Sequence, residues 1–308
     1  MGKIRVLVSL MTKDNGYQRE QAASAQAAGL RLGVDVQIIY AGNDSINQSQ
    51  QLLHAVQSAP DARPDAIVCC PVGTELRQVA YAAAGAGIGW GLLNRNADYI
   101  TELRRTAKAP VCQVAIDQEE IGRIQARQFA ALMPKGGMVL YIQGPATNPV
   151  VQARAAGMTA GKPANVQVRT LRGKWTDESG YEAVASWLRV ATSHQTPIGL
   201  ICSQNDDMAI GARKAFEENT SGEEREHFCS LPFTGCDACP DTGQEWIRKG
   251  LLTASITLPN TASIALEQLV KSLQSGAYPA ERTTVLPSSC PPIERLTETR
   301  SRAVLAAR

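Results

Sequence analysis

Residues Ile198 to Phe216 read IGLICSQNDDMAIGARKAF. A short apolar run ends at Cys202, a polar break follows over Ser203-Gln204-Asn205-Asp206-Asp207, and apolar residues then recur at Met208, Ala209, Ala212, Ala215 and Phe216. The first run has the length of a buried strand and the second has helical spacing, so the stretch predicts a strand, a tight loop and an amphipathic helix. Asp206 and Asp207 fall in the first turn of that helix, where the macrodipole favours negative charge. Open α/β sheets place their ligands beyond the carboxyl ends of the strands, which is where Asn205 falls. Its amide offers an acceptor oxygen and two N–H donors, and so suits a ligand whose every hydroxyl both donates and accepts. The competing reading is that Asn205 and the two aspartates only cap the helix. The stretch by itself leaves both readings open.

Outward from this stretch the same unit repeats. Ile4–Leu10 is a β-rich run, and a helix from about Tyr17 to Leu32 closes at Gly33. Val34–Tyr40 alternates as a strand, and Asn43-Asp44-Ser45 opens a helix bearing Ile46, Leu52, Leu53 and Val56. Ala66–Cys70, Ile88–Leu93 and Val111–Ile116 read as further strands, separated by a helix over Leu76–Ala86 and a helical turn around Tyr99–Arg105. After Asp117 a helix with Ile121, Ile124, Phe129 and Leu132 stops at Pro134-Lys135-Gly136-Gly137, and the alternation starts again. Met138–Gln143, Val166–Leu171, Phe233–Asp237 and Leu252–Leu258 read as strands, with helices over Val150–Thr159, Glu178–Val190, Thr242–Lys249 and Asn260–Leu273. Thr283–Leu286 is a candidate last strand. Strands alternating with helices of this length mean βαβ units and parallel sheets. Two successive sets imply two doubly wound, Rossmann-like lobes, and a cleft between two such lobes is a natural small-molecule site.

Composition agrees and excludes several classes. A chain of 308 residues is about right for two domains. Its 44% hydrophobic and 19% charged residues are those of a globular protein able to bury sizeable cores. The net charge is +2 and the basic clusters are short, so no nucleic-acid partner is expected. No run of about 18 apolar residues occurs, so the chain is not expected to insert in a membrane. The amino terminus MGKIRVLVSLM runs from two basic residues straight into a strand, without a small-residue cleavage site. Eight cysteines lie mostly in or beside apolar runs, as buried free thiols do. Both features point to the cytoplasm for the chain as written, and to the periplasm if an export signal has been removed. Cys236 and Cys239, with Cys229 nearby, lack a fourth zinc ligand at suitable spacing. Neither a metal nor a cofactor is expected.

The strand ends carry a polar set of both charge signs: Asn15 and Tyr17, Asn94 and Arg95, Asp117, Arg154, Asn205 and Asp237, with the aromatic Trp175. Planar Arg forks and carboxylates bind vicinal hydroxyls in pairs, and aromatic faces stack on the C–H face of a pyranose. Taken singly, the arginines suit surface ion pairs, the aspartates helix caps and Trp175 packing. Their shared location favours the binding reading. No G-x-S-x-G, G-x-x-x-x-G-K or G-x-G-x-x-G motif stands where catalysis or a nucleotide would need it, so no catalytic residue is assigned and no enzyme is expected.

Ser203-Gln204-Asn205-Asp206-Asp207-Met208-Ala209-Ile210-Gly211-Ala212, followed by Thr234-Gly235-Cys236-Asp237 and then by Gly250-Leu251-Leu252-Thr253-Ala254-Ser255-Ile256, resembles the type I periplasmic sugar-binding proteins of the ribose-binding group. That group shares its fold with the ligand-binding cores of lactose-repressor-type regulators. The resemblance implies an N-terminal lobe of residues 1–115 with 259–280 and a C-terminal lobe of residues 116–258 with 281–308. It also implies a hinge that closes on the ligand and the solute-binding role of an ABC sugar transporter. The implied partners are a small sugar or polyol and an ABC permease or receptor, with the protein itself a monomer. A sugar-sensing regulatory protein without a DNA-binding domain is the alternative. Residue by residue, the resemblance carries over to Asn94 and Arg95, Asp117, Arg154, Trp175, Asn205, Asp237 and, in a loop of different length, Asn15 and Tyr17. Asn94 stands where the family has Asp, and Cys70 where it tends to have a polar amide. Both departures weigh against ribose itself.

Overall fold

The protein is described here by a computed structural model covering residues 3–73, 76–190 and 197–297. In chain order it runs β1 (Arg5–Leu10), α1 (Gly16–Leu32), β2 (Asp35–Tyr40), α2 (Ser45–Gln57), β3 (Ala66–Cys69), α3 (Arg77–Gly85), β4 (Gly89–Leu93), α4 (Tyr99–Thr106) and β5 (Val111–Ile116). It continues through α5 (Gln118–Leu132), β6 (Gly137–Gln143), α6 (Pro149–Gly161), β7 (Val166–Arg172), α7 (Asp177–Leu188), β8 (Ile198–Ser203), α8 (Asp206–Asn219), α9 (Gly222–Ser230) and β9 (Phe233–Thr234). The last elements are α10 (Gly243–Arg248), β10 (Ser255–Thr257), α11 (Thr261–Ser275), β11 (Arg282–Val285) and β12 (Ser288–Cys290). The chain divides into two compact units, one of the described residues up to Ile116 with Pro259–Val285, the other of Asp117–Leu258 with the described residues from Leu286.

In the first unit six parallel strands lie in the order β2-β1-β3-β4-β5-β11. Successive side chains of a strand point to opposite faces. Val6, Val8 and Leu10 therefore pack with Ala22, Ala25 and Ala28 of α1 and with Ala265 and Leu269 of α11. Leu7, Ile67 and Cys69 pack on the other face with Leu52, Val56, Val79 and Ile100 from α2, α3 and α4. Helices on both faces explain why these strands read as unbroken apolar runs. Each fully buried Leu, Ile or Val contributes roughly 1.5–3 kcal/mol. The turn chemistry is local: Gly33 ends α1 at φ 67, with the Val34 N–H returned to the Gly29 carbonyl at 3.0 Å.

The second unit repeats the plan with β7-β6-β8-β9, again parallel, and β10 pairs with β12 antiparallel. Tyr141, Leu200 and Cys202 pack with Phe129 of α5 and Met158 of α6. Leu140, Ile142 and Ile201 pack with Val184 and Trp187 of α7 and Met208, Ala212 and Phe216 of α8. Both units are doubly wound, with β1 and β6 at the points where the strand order reverses.

Three differences from the sequence reading have physical causes. Arg282–Val285 pairs in register with Gln113–Ile116 of β5, so this segment belongs to the first unit's sheet and the change of unit falls after Val285, not at residue 281. The strand expected over Phe233–Asp237 stops at Thr234 as a regular ladder, because Asp237 and Ala238 turn to φ 124 and 43. Helix α9 was not legible, since only Phe228 of its nine residues is buried and it carries no apolar stripe.

Candidate functional site

In the second unit the reversal point gathers Arg154, Trp175, Asn205 and Asp237. Arg154 rides on α6, and what fixes that helix is its contact with α5. A methyl group on Gly122 would stand 2.1 Å from the Arg154 carbonyl oxygen, and one on Gly157 2.0 Å from that of Glu119, so only paired glycines let the two backbones approach this closely. The Arg154 side chain is 5% exposed. Its Nε–H donates to Gln118 Oε1 at 2.9 Å, a terminal N–H donates to the Gln204 carbonyl, and the guanidinium stands 5.7 Å from the centre of the Trp175 ring. Trp175 itself is held at φ 73.

Asn205 is the cap that one of its two readings expects. Its Oδ1 accepts the Met208 N–H at 3.1 Å as the N-cap of α8, and its Nδ2–H donates to the Trp175 carbonyl at 2.9 Å. One side chain thus caps the helix and also fixes the backbone of the aromatic. Asp237 is anchored by its N–H to the Ile256 carbonyl at 2.9 Å. Burial pushes its carboxyl well above the usual carboxylate range, the nearby Asp206 adds to the shift, and Arg154 opposes it. Asp117, expected in the same set, caps α5 by accepting the Glu120 N–H at 2.8 Å and pairs with Arg123 at 3.3 Å.

In the first unit the reversal point gathers Tyr17, Asn94, Arg95 and Cys70. The Tyr17 hydroxyl donates to Asn94 Oδ1 at 2.9 Å, as does the Thr261 hydroxyl at 2.8 Å. Asn94 Nδ2–H in turn lies 3.4 Å from Cys70 Sγ, which also receives the Gln18 amide at 3.6 Å. With φ 65, Asn94 adopts a left-handed conformation that Asn tolerates better than most residues. Arg95 donates to the Pro71 carbonyl at 2.6 Å, and Asn15 caps α1 by accepting the Gln18 N–H at 3.1 Å. Burial raises the Cys70 thiol, while Gln18, Arg95 and Asn94 pull it back.

Sequence reasoning missed the buried glutamines. Gln204, with no exposure, donates to the Tyr141 hydroxyl at 3.0 Å and the Val151 carbonyl at 3.1 Å and accepts the Gly144 N–H at 3.1 Å. Gln118 receives Arg154. Gln48 donates to Ser9 Oγ and the Cys70 carbonyl, and Gln21 Oε1 accepts the Ala262 N–H at 2.8 Å. For Gln18, Gln21 and Gln48 the signal was an amide on the buried side of a helix, where periodicity calls for an apolar residue.

Among solved structures the same fold recurs widely. The Caulobacter myo-inositol binding protein bound to myo-inositol is 22% identical, with 96% of this chain and 95% of that chain covered and a TM-score of 0.77. An ABC transporter periplasmic solute binding protein from Actinobacillus succinogenes with bound D-allose is 20% identical over 96% and 100%, with a TM-score of 0.78. The periplasmic binding protein component of the arabinose ABC transporter from Shewanella sp. ANA-3 is 21% identical over 98% and 97%, with a TM-score of 0.76. Comparison with curated proteins gives no match. The periplasmic binding protein domain matches residues 6–276, nearly the whole span of both doubly wound units, and the chain therefore belongs to the periplasmic binding protein domain family.

Proposed function

We propose that this protein binds a small carbohydrate or polyol without transforming it, as the solute-binding component of an ABC importer. The observation that carries the reading is the group at the second unit's reversal point. There a buried guanidinium beside an aromatic face, a capping amide and a buried carboxyl stand at the carboxyl ends of β6, β8 and β9. Such groups answer the hydroxyls and the C–H face of a sugar ring, and a ligand lacking one hydroxyl leaves a buried partner unpaired. Solved proteins of this fold hold myo-inositol, D-allose and L-arabinofuranose, which supports the same ligand class here. Asn15, Tyr17, Asn94 and Arg95 of the first unit, and Asp117 at the start of α5, are the further contributors in this proposal.

The replacement of an acidic residue by Asn94, next to the neutral thiol of Cys70, sets the ligand apart from ribose. Asn94 already accepts two hydroxyl protons, from Tyr17 and Thr261, through one oxygen. A thermal-shift panel of pentoses, hexoses, polyols and cyclitols tests the reading. A ligand at a hundred times its Kd stabilises by roughly 2.7 kcal/mol. Absence of any shift across the panel, with a shift from amino acids or peptides, would replace it. A sensing role in a reducing compartment draws on one observation, the eight free cysteines, six of them buried.

A further inference from the structure

Asp206 stands one residue beyond Asn205, and its carboxyl group meets the turn that follows β9. It is 2% exposed, and both carboxylate oxygens are engaged inside the second unit. Oδ2 accepts the Ala238 N–H at 2.7 Å, and Oδ1 accepts the Ser255 hydroxyl proton at 2.6 Å. Ser255 Oγ also lies 3.1 Å from the Ala238 nitrogen, so hydroxyl, carboxylate and backbone N–H close a ring. The Asp206 N–H donates to the Cys236 carbonyl at 2.7 Å. A methyl group on Gly235 would come within 2.1 Å of Oδ1, and one on Gly243 within 2.0 Å of Oδ2. The carboxylate therefore sits in a socket that only two glycines leave open.

Asp206 grips from both sides the turn that carries Asp237. Asp237 at φ 124 and Ala238 at φ 43 are consecutive residues in backbone regions that L side chains seldom adopt. Neither is glycine, so the conformation has to be imposed by surrounding contacts. Those contacts are the Asp206 carboxylate on the Ala238 N–H, the Asp206 N–H on Cys236, and the Ile256 carbonyl on the Asp237 N–H.

We propose that Asp206 is a positioning residue for ligand binding: through the Ala238 N–H and Ser255 it holds the Asp237-Ala238 turn in the strained form that presents the Asp237 side chain. The proposal rests on the binding role assigned to Asp237 above. A carboxyl group suits the task, because its two oxygens meet the Ala238 N–H and the Ser255 hydroxyl together, whereas an amide turns an N–H donor toward one of them.

The test is a double-mutant cycle, read by calorimetric titration with whichever of D-ribose, L-arabinose, D-allose, D-galactose or myo-inositol stabilises the parent. Asp206→Asn weakens binding at least tenfold in the parent and less than twofold in the Asp237→Ala background, with unchanged circular dichroism. Asp206→Ala, which keeps no acceptor for the Ala238 N–H, weakens it further than Asp206→Asn. An equal loss in both backgrounds would mean that Asp206 supports the fold alone, and would overturn the proposal. Amide hydrogen exchange on the unliganded protein gives an answer that needs no ligand. In Asp206→Asn the Ala238 amide exchanges at least tenfold faster while the amides of β6 and β8 keep their protection. Unchanged exchange at Ala238 would overturn the proposal too, whereas five inactive probes with faster exchange at Ala238 would remove the sugar-binding reading and leave the held turn.

Discussion

Arg154→Met is the substitution whose effect follows most directly from the geometry. Methionine keeps the unbranched apolar stem and removes the guanidinium, so packing around α6 is largely preserved. Two buried acceptors then lose their donors, Gln118 Oε1 at 2.9 Å and the Gln204 carbonyl. An acceptor left unsatisfied in the interior costs about 1–3 kcal/mol, and two of them cost about 2–6 kcal/mol before relaxation. Relief of the buried cation's desolvation offsets part of this, leaving a net loss of about 2–4 kcal/mol. Against a typical unfolding free energy of 5–15 kcal/mol the variant stays folded. Its ligand affinity falls as well, since a charged donor to a sugar hydroxyl is worth about 1.5–3 kcal/mol, or roughly tenfold to over a hundredfold in Kd. Urea unfolding gives the first number and calorimetric titration the second. A variant as stable as the parent, binding with the parent's Kd, would refute both the placement of Arg154 and its role.

Other outcomes follow from the same structure. Burial pushes Asp206 up to about 7 from an ordinary 3.8, so the folded state holds a proton that the unfolded chain has released over that interval. Its contribution to stability is therefore fully present below about pH 3.8 and is lost as pH rises through about 7. Thermal melts of the unliganded protein should fall in Tm from pH 5 to pH 8, and Asp206→Asn should flatten that slope; an equal slope in both would contradict the assignment. Gly122→Ala drives a methyl group against the Arg154 and Met158 backbone and should cost about 1–3 kcal/mol or more while weakening ligand binding. Gly85→Ala, with nothing within 4 Å, should be neutral or slightly stabilising in the same melts. Six buried thiols should resist a water-soluble disulfide reagent in the native protein and react on unfolding, with Cys229 and Cys290 reacting first.

Most of the fold was legible because it rests on periodicity. Apolar runs such as Ala66–Cys69 and Val111–Ile116 are buried on both faces, and helix signals such as Asp44 and Gly33 are local chemistry that needs no tertiary context. Two elements escaped: α9, which buries a single aromatic, and the short β12, which depends on pairing with β10 across more than 30 residues. At the candidate site, Asn205 could be named as a polar residue at a strand end, and Arg154 and Trp175 as a charged and an aromatic residue in the helix and loop nearby. Their ties to each other could not be read, since the Asn205 amide meets the Trp175 carbonyl across 30 residues. Asp206 was read as a first-turn helix charge, which it also is. Its grip on Ala238 depends on two distant glycines, Gly235 and Gly243, and on an unusual turn that no local pattern announces.

The most direct measurement of the central claim is calorimetric titration of the purified protein with myo-inositol, D-allose, L-arabinose, D-galactose and D-ribose, repeated on Asn205→Ala and Asp237→Ala. The account predicts saturable binding of at least one of these with one site per chain. It also predicts a loss of at least tenfold in both variants, which remain folded by circular dichroism. Binding of none of them, or binding that both variants retain at the parent's affinity, would contradict it.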